Sequence, residues 1–137
     1  MFSFVKSLDC AVPQPSLAVA TSGAYGVGMA LKIASGKLTK ATGSDVVTHI
    51  CAENKELEAE GLLVAFPVTD AMLFEVPISA HSASTQVIGL KVTLATDALR
   101  VTATAQEAGS KAGAYIVDKL GAKAAGDKML VRLNYYN

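Results

Sequence analysis

Three observations make this chain an all-β protein: its short β-rich runs, the closely spaced turn signals between them, and the lack of a convincing amphipathic helix. The expected architecture is a small antiparallel β-sandwich or a partly closed β-barrel, with an extended N-terminal arm. Residues 1–22 are read as that arm and residues 23–137 as a single β domain. A length of 137 residues suits one domain. A chain of this size buries about two-thirds of its unfolded surface, enough for one self-supporting core.

The arm begins with the apolar anchors Phe2, Phe4, Val5 and Leu8. Pro13 and Pro15 keep the following stretch extended, because a proline disfavours α conformation in the residue before it. Such a segment is either a frayed terminus or an arm that orders on meeting a partner. Tyr25 to Ile33 reads as a strand, Ala34-Ser35-Gly36 as a turn and Lys37 to Ala41 as the strand after it. Val46 to Cys51 is a further β-rich run. The acidic segment Glu53 to Glu60 tolerates helix, but eight residues are too few for an isolated one, and it reads as a loop or single turn.

Leu62 to Val68 and Met72 to Ile78 follow as two strands, whose prolines, Pro67 and Pro77, belong at a sheet edge or bulge. Ala80 to Thr85 is a small-residue loop. Val87 to Leu94 and Leu99 to Thr104 are strands about a turn containing Asp97, and Ala114 to Val117 and Lys128 to Leu133 complete the set. Gly126-Asp127 leads into the last strand, with Asp127 placed to bond the backbone two residues on. Asn134-Tyr135-Tyr136-Asn137 ends the chain with two rings suited to an interface or a core edge. The hairpin pattern at 28–42 is echoed at 89–104. The many alanines cut against strand, and a short helix could sit at 105–108 or 118–125.

Composition narrows the function. Hydrophobic residues make up 51% of the chain and mean hydropathy is +0.37. No run approaches the roughly 18 apolar residues that cross a bilayer, so the apolar excess points to burial against another protein, commonly further copies of the same chain. Charge is balanced at 12 basic and 12 acidic residues, without a basic stripe, which argues against nucleic-acid binding. The N-terminus lacks the pattern of a signal peptide. Cys10 and Cys51 make no disulfide framework, so synthesis in a reducing cytoplasm is expected.

Chemistry-bearing residues are sparse. His49 and Cys51 alternate onto one strand face, and with His81 and Cys10 they offer four potential zinc ligands. Their spacing lacks any paired grip, so a packed cysteine and ordinary histidines are the expected outcome, with no metal and no cofactor. A Cys51 nucleophile with His81 as base, oriented by Asp70 or Asp97, has no local support. Glu53, Glu56, Glu58 and Glu60 read as a solvated acidic face. The glycine-rich 22–28 segment meets neither phosphate-loop pattern. Carbohydrate binding is disfavoured by the absence of Trp and only 6% aromatics.

The extended arm, Val27 to Lys32, Gly36 to Ala41, Leu63 to Asp70 with Phe74-Glu75-Val76-Pro77, Gly89 to Val92 and Gly126 to Leu133 together resemble the small head-decoration, or capsid cement, proteins of tailed bacteriophages. The resemblance covers most of the chain after residue 20. It implies a non-enzymatic protein, made in the host cytoplasm, that sits on the virion exterior, bound to the major capsid protein, as a homo-oligomer, often a trimer. Phe2, Phe4, Val5 and Leu8 take the partner-binding role by position alone. The alternatives are another virion accessory protein of tail or baseplate, or a small ligand- or metal-binding β domain using His49, Cys51 and His81.

Overall fold

The computed structural model describes residues 1–136, and Asn137 lies outside the described residues. The chain is all-β, and no helix forms among the described residues, including the two short stretches where one was conceivable. In chain order the strands are β1 (Ser3–Ser7), β2 (Ser16–Ala20), β3 (Gly23–Tyr25), β4 (Ala30–Ala34), β5 (Lys37–Lys40), β6 (His49–Cys51) and β7 (Lys55–Leu57). There follow β8 (Gly61–Pro67), β9 (Met72–Pro77), β10 (Lys91–Leu94), β11 (Val101–Gln106), β12 (Ala114–Asp118) and β13 (Lys128–Leu133).

They form a six-stranded sheet of order β1-β9-β13-β12-β10-β11, a closed barrel of order β2-β5-β4-β6-β8, and the small pair β3-β7. Every strand pairing among the described residues is antiparallel except β2 with β5, which meet in parallel at Ala20 and Leu38, and an isolated parallel bridge joins Ile78 to Val101. Sheet and barrel share one core. Phe74 of β9, fully buried, takes Phe4 of β1 edge-on at 6.0 Å and stacks on Phe66 of β8 at 6.4 Å. That trio fastens the N-terminus, the sheet and the barrel to each other.

The N-terminal residues are extended, as expected, but are built into both sheets. β1 pairs along β9, while β2 lies between β8 and β5 and closes the barrel. The β fold therefore starts near residue 3, upstream of the expected boundary at 23. The span Tyr25 to Ile33 is also two strands instead of one. Its break falls at Gly28, whose φ of 77° is left-handed and whose carbonyl accepts the Phe2 N–H at 2.9 Å.

Glu53 to Glu60 contains strand β7, where a loop or single turn was expected. The reason is tertiary. β7 pairs with β3, Leu57 packs on the core, Lys55 Nζ donates to Leu62 O at 2.8 Å, and Glu53 Oε1 accepts the Val64 N–H at 2.8 Å. Pro67 and Pro77 are each the last residue of a strand. The echoed segments do both form hairpins, β4–β5 and β10–β11, and a two-way bridge between Gly43 and Leu94 joins them. At the β4–β5 turn Ser35 and Gly36 both take positive φ, which suits the twist of a tight hairpin.

Alanine, expected to weaken strands, here serves the barrel. A five-stranded barrel is narrower than the eight-stranded kind that side chains just fill, so small residues belong inside it. Ala20, Ala65 and Leu63 are buried there, and their strand neighbours are turned outward.

Candidate interaction surfaces

The barrel presents an apolar outer wall. Leu17 of β2 lies opposite Val64 of β8, and Val19 opposite Leu62. Successive residues of a strand point to opposite faces, so these four share the face away from the barrel interior. Leu17 is 62% exposed, Leu62 49% and Val19 41%, with Val64 half-buried. The Lys37–Glu60 ion pair lies at one end of this wall, and Lys55 and Glu53 bond the β8 backbone along its side. The result is a cross-strand apolar block with a charge-balanced rim, where a soluble strand would ordinarily alternate polar residues outward.

The N-terminal segment supplies a second apolar surface. Phe2 is buried and Phe4 packs against the core, whereas Val5 and Leu8 are exposed. The register of β1 on β9 shifts between Phe4 and Lys6, which makes Val5 a bulge residue turned out of the ladder. Leu8 is tied by its N–H to Ala71 O at 2.9 Å. Of the four arm residues, two therefore anchor the segment to its own chain and two face solvent. Beyond them Val12 is exposed, and Pro13 and Pro15 wall an apolar groove of about 270 Å³ that Phe2, Phe4, Ile50 and Phe66 also line.

The chemistry-bearing residues are not assembled. His49 is half-buried on β6 with Nδ1 3.0 Å from Thr48 Oγ1, and burial lowers its pKa and favours the neutral ring. Burial also pushes the Cys51 thiol pKa up, and Cys51 donates to Glu53 O at 3.1 Å. His81 belongs to the loop after β9, beside Lys123, and Cys10 is exposed in the stretch before β2. No three His, Cys, Asp or Glu among the described residues gather closely enough to hold a metal ion. Asp97 closes its own turn, accepting the Leu99 N–H at 2.9 Å and pairing with Arg100 at 2.7 Å. Asp70 is exposed, its carbonyl accepting from Arg132 Nε at 2.6 Å. Glu53 and Glu60 face lysines, while Glu56 and Glu58 stay exposed.

Of the terminal rings, Tyr135 packs on Tyr115 with centroids 4.8 Å apart and lies under the Arg132 guanidinium, while Tyr136 is exposed. Sequence reasoning missed the barrel wall. Ser16-Leu17-Ala18-Val19-Ala20 carries a large–small alternation, yet both faces read as apolar, so the pattern alone does not say which face is outside. No family model, curated protein or solved structure matches this chain.

Proposed function

We propose that this chain is a non-enzymatic structural protein that binds the outer surface of a phage capsid as a decoration or cement protein, and that it acts as a homo-oligomer, with a trimer favoured. One observation carries the reading: the apolar wall of Leu17, Val19, Leu62 and Val64 on a folded, charge-neutral β scaffold. Contiguous exposed apolar surface is costly to leave in water and marks sites of association. The solvent-facing Val5 and Leu8 add a second contact area, and two modest contacts repeated over a lattice combine into firm attachment.

Light scattering on the purified chain, followed by co-sedimentation with heads of the phage that carries its gene, tests this. The expected result is a discrete small oligomer that pellets with the heads at saturable stoichiometry. A monomer that stays in the supernatant overturns the proposal.

A further inference from the structure

Two loops that the proposed function does not use meet at the far end of the sheet. The loop after β9 brings His81 and Ser82, and the loop between β12 and β13 brings Lys119, Gly121, Ala122 and Lys123. Together they line a pocket of about 350 Å³. Backbone and side-chain bonds join the loops. Ser82 N–H donates to Lys123 O at 2.9 Å, His81 Nδ1 lies 3.3 Å from the same carbonyl, and Lys119 Nζ donates to Ser82 Oγ.

The charge in this pocket is one-sided. The carboxylates that bracket the loop are turned into its backbone: Asp118, the last residue of β12, accepts the Leu120 N–H on Oδ1 at 2.8 Å, and Asp127 Oδ2 accepts those of Lys123 and Ala124 at 2.9 Å. Neither carboxylate lines this pocket, although Asp127 lines the adjoining hollow that shares Gly121 and Ala122 with it, and the ion pairs among the described residues involve neither Lys119 nor Lys123. With Lys119 donating to its oxygen, the Ser82 hydroxyl keeps its own proton for a ligand. Lys119, Lys123 and the Ser82 hydroxyl thus line one concave site in a chain whose overall charge is zero.

We infer that this pocket binds a phosphate-type oxyanion, free or as a small monoester. A tetrahedral oxyanion has acceptors enough for all three donors, and charge-assisted bonds to it are stronger than neutral ones. The volume exceeds that of the bare ion and leaves space for a small organic group. Because Lys123 is exposed and Lys119 only half-buried, affinity should be weak, on the order of millimolar.

The test is an amide-resolved NMR titration of the full chain with inorganic phosphate and, separately, phenyl phosphate, at constant ionic strength set with chloride. Saturable shifts confined to residues 81–82 and 119–123 are expected, weakened about tenfold or more in K119A/K123A. A tighter monoester would assign the site to an esterified phosphate, and equal affinities to the free ion. Shifts that never saturate, or a double variant that titrates like the parent, overturn the inference.

Discussion

Single residues here carry constraints that the strand pattern does not reveal. Gly28 and Gly36 both hold a left-handed backbone, at φ of 77° and 76°, and a side chain at either position costs about 1–2 kcal/mol for that conformation alone. Their surroundings differ. A Cβ on Gly36 meets nothing within 4 Å, whereas one on Gly28 would sit 2.6 Å from Met1 Cβ and 3.0 Å from Phe2 O. Gly28→Ala should therefore lose clearly more stability than Gly36→Ala in urea unfolding. Equal losses would show that the N-terminal residues do not pack against Gly28 in solution. Asp127 sets a pH dependence. The N–H groups of Ala124 and Lys123 donate to its carboxylate and hold its pKa below the ordinary 3.8. A depressed folded-state pKa gives stability that is present above the normal carboxylate range and is lost as pH falls through the folded value. Asp127→Asn should thus unfold at lower urea than the parent at neutral pH, with the gap narrowing as pH falls below the ordinary carboxylate range and through the depressed folded-state pKa. A gap that persists in acid would trace the effect to shape, not charge.

Among the elements, the first two strands have the largest structural role. β1 covers one side of β9, and β2 supplies the strand through which β8 and β5 close the barrel. Deleting residues 1–20 should therefore abolish cooperative unfolding, since Leu38, Leu63 and Phe74 lose their cover. The double variant V5E/L8K should keep the parent far-UV spectrum and unfold within about 0.5 kcal/mol of it, because both side chains already face water. A deletion that unfolds as sharply as the parent would mean the segment is a dispensable arm after all. The strands from Leu62 to Pro77 and from Val101 to Leu133 were legible in the sequence, because β-rich runs alternate with turn residues there, whereas the run expected from Val87 becomes strand only at Lys91, after a turn in which Gly89 takes a φ of 88°. The role of β2 was not legible. Its partners Leu38 and Val64 lie far along the chain, and the prolines before it read as part of an extended arm. β7 was hidden for a related reason: an acidic run becomes a strand only because β3 and the β8 backbone receive it. The oxyanion pocket draws on two loops about 40 residues apart, so spacing within either one carries no signal.

For the whole molecule, the question is what the apolar excess does. The core takes up the aromatic trio and the barrel alanines, yet Leu17, Val19 and Leu62 remain in water. Fully burying a Leu or Val side chain is worth about 1.5–3 kcal/mol, so a wall of such residues is a substantial reserve for association. In a monomer the wall contributes little to folding, and charged replacements on it should be nearly neutral. In an oligomer the same replacements place charges in a dry interface, where unpaired charges are expensive. L17E/L62K separates the two cases without ambiguity about folding. If the wall is the association surface, the parent melts at higher temperature as protein concentration rises, because subunit binding stabilises only the folded state. The variant should lose that dependence and scatter light as a monomer, while at high dilution its melting temperature matches the parent's. A variant that keeps the parent's mass and concentration dependence would move the association surface off the barrel, leaving Val5 and Leu8 as the apolar contact to test next.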